Sequence, residues 1–163
     1  MMSLLLKTLS KIEQYLIAGL LMFNLAILFI TVVLRYGFNN PPVWPEEASR
    51  YVMIWIIYLG VSQSIENNTE IKIDILSQLI MSTYHKRVLN MIASVISLVA
   101  SIFMAWYGFD FAKSLFNSQQ IAASFPMAMG FIYLIIPFAG ILMAIKFIYR
   151  LSTQIRNRES TIN

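Results

Sequence analysis

Long apolar runs alternate along this chain with short polar joints. Four runs carry no charged residue: 14–34 (21 residues), 51–65 (15), 88–109 (22) and 114–145 (32). About 20 apolar residues cross a bilayer as a helix. The first and third runs reach that length outright. The second reaches it only when extended back to Pro45, which places Glu46, Glu47 and Arg50 in its first turn. The fourth is longer than a span needs, and Pro126 marks where its helix begins. The pattern predicts an all-α membrane protein, one membrane domain over 1–163. Its four transmembrane helices fall at about 12–36, 45–65, 87–110 and 127–149, with short amphipathic interfacial helices and a polar tail at 152–163.

The joints carry their own signals. Before the first run, Leu4, Leu5, Leu6, Leu9 and Ile12 set against Lys7, Ser10, Lys11 and Glu13 read as an amphipathic lead-in on the membrane surface, or as a simple tail. The run ends Val33-Leu34-Arg35-Tyr36, without the small residues of a cleavage site, so a retained first helix is expected. Residues 66–70 are a polar turn. Beyond them Ile71, Ile73 and Ile75 alternate with polar residues, and then Ile75, Leu76, Leu79 and Ile80 take helical spacing. That reads as an interfacial helix at about 72–82, with Lys72 or Arg87 as partner for Asp74, or as a solvated loop. In the third run Ala93, Ser97, Ser101 and Ala105 recur every four residues. Such spacing lets helices approach closely. The face could meet a partner subunit or the chain's own helices. Pro137 should kink the fourth helix.

Composition sharpens the picture. The chain is 58% hydrophobic and 12% charged, against about 25% charged in a soluble domain. It has no cysteine and one histidine, His85. Thiolate metal sites and a two-histidine haem anchor are therefore excluded. The net charge of +4 reflects membrane topology rather than nucleic-acid binding. With both termini cytoplasmic, the inner side holds Lys7, Lys11, Lys72, Lys86, Arg87, Lys146, Arg150, Arg156 and Arg158, and the outer side only Arg35, Arg50 and Lys113. Nine against three sets the orientation, because cytoplasmic loops are rich in Lys and Arg. No catalytic, cofactor or metal site is expected, since Glu46 and Glu47 have no histidine or cysteine near them. Transport by this chain alone is also poorly supported. The centres of the first and third helices hold no charge, and Asn24, Thr31, Ser62 and Gln63 are mild polar groups of the kind that hold helices together.

The joint after the first run is the densest in signals. Over residues 35–50 it reads R-Y-G-F-N-N-P-P-V-W-P-E-E-A-S-R. Asn39, Asn40, Pro41 and Pro42 make a turn, because proline cannot continue a helix. Pro45 suits the first turn of the next helix, and Glu46 and Glu47 suit its positive end. Arg50 is four residues beyond Glu46 and three beyond Glu47, so one helix face can pair all three. Trp44 and Tyr51 suit a membrane–water interface.

The ordered set Arg35, Tyr36, Phe38, Pro42, Trp44, Pro45, Glu46, Glu47 and Arg50 resembles the signature of the small membrane subunit of TRAP transporters, the tripartite ATP-independent periplasmic transporters. Glu70-Ile71-Lys72-Ile73-Asp74 resembles that family's short element after the second helix, with Glu70 where a histidine is common. Ser124-Phe125-Pro126, followed by Tyr133 and Pro137, resembles its last helix. The resemblance implies a fixed scaffold in the bacterial inner membrane, with the lipid bilayer around it and no nucleic-acid partner. Beside it sits a large elevator-type membrane subunit that carries substrate and sodium, and a periplasmic substrate-binding protein docks on the pair. It implies import of an organic acid, with sialic acid favoured over a C4-dicarboxylate. It assigns Arg35, Glu46, Glu47, Arg50, Trp44 and Asp74 structural and interface roles and gives this chain no substrate or ion ligand. A different class of reading is an autonomous four-helix exporter working as a dimer, with Glu46 or Glu47 as proton site. Acid depth separates the two, because a coupling acid should lie deeper than the first turn of a helix.

Overall fold

A computed structural model describes residues 2–39, 42–66, 83–124 and 126–159. The interfacial element expected at 72–82, with Asp74 in it, lies outside the described residues. Within them the chain forms helices α1 (Met2–Gly37), α2 (Trp44–Glu66), α3 (Thr83–Asn117), α4 (Met129–Tyr133) and α5 (Ile135–Glu159).

α1 is one helix of 36 residues, about 54 Å long at 1.5 Å per residue. The lead-in is therefore not a separate surface helix. No proline or glycine interrupts 2–18, and Leu6, Ser10 and Glu13 are buried on the same stripe as Ile27 and Thr31 further along. α1 ends where Asn39 takes a left-handed φ of 51°, a conformation asparagine tolerates better than most side chains. α2 opens at Trp44 with Pro45 buried in its first turn, where the missing N–H leaves no carbonyl unserved.

The helices lie in the order α1, α2, α5, α3, with α4 against the end of α3. Half of the most apolar stretch within Met129–Gln154, which spans α4 and most of α5, is buried, against 11% for α1 and for α3, so α5 is central and those two form the edges. Leu59 of α2 meets Ile135 and Leu142 of α5, joined by Leu9, Ile17 and Leu20 of α1. A second cluster joins Ile65 to Ala139, Met143 and Phe147. Burying such side chains contributes roughly 1.5–3 kcal/mol each in water; inside a bilayer close packing takes over that role.

α3 and α5 touch almost backbone to backbone. A Cβ added at Gly140 would lie 2.7 Å from the Ala105 nitrogen and 3.0 Å from the Ser101 carbonyl oxygen. One added at Gly108 would lie 2.7 Å from Ile136 Cγ2 and 3.0 Å from the Pro137 nitrogen. The expected face of Ala93, Ser97, Ser101 and Ala105 is thus only partly the contact. Ser101 is buried and Ala105 half-buried, but Ala93 is exposed. Steps of four advance 40° per repeat around a helix of 3.6 residues per turn and drift off the seam. The buried positions Ser94, Ser101, Gly108 and Leu115 instead keep steps of seven.

The last predicted helix is divided. α4 stops at Tyr133 and α5 starts at Ile135, with Leu134 still near helical geometry at φ −58° and ψ −19°. Pro137 lacks the N–H that the Tyr133 carbonyl would accept, which places the interruption four residues before it. Trp55 of α2 donates its indole N–H to the neighbouring Ile132 carbonyl at 3.0 Å.

Among the described residues, three helical stretches are long and apolar enough to cross a membrane: Leu6–Gly37, Leu89–Asn117 and Met129–Gln154. α2 falls short of that standard because Glu46, Glu47 and Arg50 occupy one end and Ser62, Gln63, Ser64 and Glu66 the other.

Candidate functional site

Among the described residues, polar side chains gather at two places, toward opposite ends of α2. The first surrounds the start of α2. Arg35, in the last turn of α1, donates to the Glu46 carboxylate at 3.0 Å. Both side chains are about half exposed, so this bridge contributes at most ~1 kcal/mol. Glu47 is turned 100° from Glu46 around the helix and is buried. It accepts from the Tyr51 hydroxyl. It also accepts from the backbone N–H groups of Ala123 at 2.9 Å and Ser124 at 2.6 Å. An ionised carboxylate is acceptor-only and suits such a ring of donors. Glu47 thereby ties α2 to the loop before α4. That loop also folds on itself: the Ala122 N–H donates to Met127 and the Met129 N–H to Gln120, both at 2.9 Å.

Arg35, Glu46, Glu47 and Arg50 therefore do not form one ion cluster. Arg50 reaches neither acid; its Nε lies 3.4 Å from the Glu46 backbone carbonyl, one turn back. The spacing put all three on one side of α2, but Arg35 approaches Glu46 from another helix, and Glu47 finds nearer donors in the loop. Trp44 is half exposed at the helix start, and no described contact joins it to the acids.

The second place was not singled out from the sequence. Near the chain termini, Lys146 of α5 forms an ion pair with Glu13 of α1, with their side chains 4% and 3% exposed. Ser62 of α2 donates to the other Glu13 oxygen at 3.0 Å, and its backbone carbonyl accepts from Lys146 at 3.0 Å. Gln63, in the amide orientation that satisfies both of its ends, donates to Glu13 at 2.9 Å and to the Ser10 carbonyl at 3.3 Å. It then accepts from Gln14 at 2.9 Å. Three helices thus meet on one buried charge pair. Glu13 and Lys146 flank apolar runs and looked like surface residues. The missed signal is their register. Glu13 continues the stripe Leu6, Leu9, Glu13, Ile17, Leu20, and Lys146 the stripe Ile135, Ala139, Leu142, Lys146.

These groups are consumed by each other. Among the described residues no three His, Cys, Asp or Glu side chains converge as metal ligands do. The geometry can hold helices and a loop in fixed relation.

Comparison with known proteins agrees with an architecture of this kind. The family model described as "Tripartite ATP-independent periplasmic transporters, DctQ component" matches residues 24–157. The chain is 27% identical over 149 residues to the isethionate TRAP transporter permease protein DctMQ of Oleidesulfovibrio alaskensis, covering 88% of this chain but 23% of that protein. A Haemophilus influenzae protein provisionally named a TRAP transporter small permease is 29% identical over 143 residues, covering 88% of this chain and 82% of its own length. The sialic acid TRAP transporter permease protein SiaT of the same species is 26% identical over 148 residues, covering 87% of this chain and 23% of that protein. These relatives are transport proteins rather than enzymes. The chain belongs to the DctQ family of TRAP transporter small membrane components.

Proposed function

We propose that this chain is the fixed, non-transporting subunit of a TRAP importer in a bacterial inner membrane. The observation that carries the reading is the pairing of Glu13 with Lys146. Among the described residues they are the most buried acidic and basic side chains, and both are committed to joining α1, α2 and α5. Glu46 and Glu47 lie in the first turn of α2 and are occupied by Arg35 and by the loop before α4. A coupling acid would have to be free to change partners. In this reading α2 crosses the bilayer with α1, α3 and α5, both termini are cytoplasmic, and the hairpin between α1 and α2 faces the periplasm.

The partner is a large membrane subunit that carries substrate and sodium. Two relatives named as permeases are more than four times the length this chain matches, which supports pairing with such a protein. A periplasmic substrate-binding protein docks on the assembly, with the hairpin end contributing to the surface. The substrate is an organic acid. The relatives' names divide among isethionate, sialic acid and C4-dicarboxylate, so all three belong in the uptake assay.

The test is affinity purification of the tagged chain from native membranes, then reconstitution. A large multi-spanning protein should copurify, and uptake should require it and the binding protein. Sodium-free uptake by the small chain alone would overturn the proposal.

A further inference from the structure

A cleft of about 410 Å³ opens beside the start of α2, lined by Val43, Arg50, Tyr51, Ile54 and Tyr133 together with the two acids already placed. Those acids are engaged: Glu46 by Arg35, Glu47 by Tyr51 and the loop N–H groups. Arg50 is exposed, and its described hydrogen bond uses only Nε. The two terminal guanidinium nitrogens have no acceptor among the described residues. A guanidinium presents paired N–H donors that match the oxygens of a phosphate.

The surface below Arg50 tells which kind of phosphate. Met53, Ile57 and Val61 follow it at steps of three, four and four, on one stripe of α2, and are 54%, 54% and 48% exposed. From Arg50 to Val61 the helix rises about 16 Å, close to half of a ~30 Å hydrocarbon core. A cation at one end of an apolar stripe one leaflet long has the shape of a phospholipid. Trp44 at 49% and Tyr36 at 80% exposure stand at the same end, where aromatic side chains mark the level of headgroups.

We propose that this cleft and stripe form a phospholipid site, with the phosphate on Arg50 and one acyl chain along Met53, Ile57 and Val61. The inference requires α2 to cross the bilayer; it does not depend on the substrate or on a particular partner. Among the described residues Arg50 has no carboxylate partner, so Arg50→Gln removes the phosphate contact and leaves the described helices in place.

The test uses the full chain purified in detergent, with its large subunit where the two copurify, stripped of lipid and titrated with phosphatidylglycerol. Bound lipid is read by native mass spectrometry. The wild type should retain phosphatidylglycerol, and Arg50→Gln should bind it about tenfold more weakly, the loss of one charge-assisted contact. Ile57→Asn should weaken it as well. Lys113→Gln, which removes an exposed cation near the end of α3, should not. Diacylglycerol, which lacks the phosphate, and inorganic phosphate, which lacks the chains, should each bind far less. Equal retention by wild type and Arg50→Gln overturns the proposal. So does inorganic phosphate binding as tightly as the lipid, which would mark a simple anion site. Displacement of the lipid by the large subunit overturns it too and hands Arg50 to an acidic side chain of that partner.

Discussion

Glu13 and Lys146 lie 133 positions apart in the chain and meet as a buried ion pair between the first and last helices. Ser62 and Gln63 of α2 complete the contact. Two charges removed from water stabilise a fold only when paired and hydrogen-bonded.

Breaking the pair from one side should therefore be worse than removing it. Glu13→Gln leaves a buried ammonium and Lys146→Met a buried carboxylate, and each should cost on the order of 3 kcal/mol. The double variant should recover most of that loss. Unfolding of the purified protein, monitored in a denaturant series, checks the non-additivity. Additive losses would mean that the two side chains do not meet.

Ser62→Ala should have a smaller effect. Its hydroxyl donates to Glu13 and accepts a long bond from Lys146 at 3.2 Å, while its backbone carbonyl still accepts from Lys146 at 3.0 Å. A loss of roughly 1 kcal/mol is expected in the same unfolding measurement.

At the other end, Glu47→Gln should loosen the loop before α4. The side-chain oxygens hold the Ala123 and Ser124 amides. Hydrogen exchange at those two amides should quicken about tenfold, the loss of roughly one charge-assisted bond. Glu46→Gln should leave both amides unchanged, because Glu46 bonds Arg35 instead.

Two glycines with opposite surroundings give a packing test. Gly140→Ala drives a Cβ to 2.7 Å from the Ala105 backbone nitrogen, so neighbouring side chains cannot relieve it. A loss of 1–3 kcal/mol, roughly the range of overpacked sites, is expected in thermal unfolding, with no rescue by Ala105→Gly. Gly60 has open space where its Cβ would be. Gly60→Ala should be neutral or stabilising by up to about 1 kcal/mol, because alanine is the better helix former.

The local chemistry of the α1–α2 hairpin was legible in the sequence. Asn39 leaves the helix in the left-handed region, and Pro45, Glu46 and Glu47 occupy the first turn of α2. Apolar run lengths located all the long described helices, because hydrophobic length is a local property. Pairing was not legible. Helical spacing says that Glu46, Glu47 and Arg50 share one side, but it cannot say that Arg35 arrives from α1 or that Ala123 and Ser124 come within reach of Glu47. The seam between α3 and α5 was legible only in part: Ser101 and Ala105 do meet Gly140, but Ala93 is exposed, and the seven-residue register of Ser94, Ser101 and Gly108 is harder to see than a four-residue step. Glu13 and Lys146 were counted as edges of apolar runs. Their places on the stripes Leu6–Leu20 and Ile135–Lys146 show instead that each charge faces the helix row.

Whether the buried charges serve architecture or ion coupling is decided by uptake through the neutral double variant. Glu13→Gln combined with Lys146→Met removes both charges yet keeps the volumes close. Reconstituted with the large subunit and the binding protein, it should import substrate at near the wild-type rate and with the same sodium dependence. Loss of uptake in a variant that still assembles fully would contradict a structural role and make Glu13 and Lys146 part of the transport chemistry.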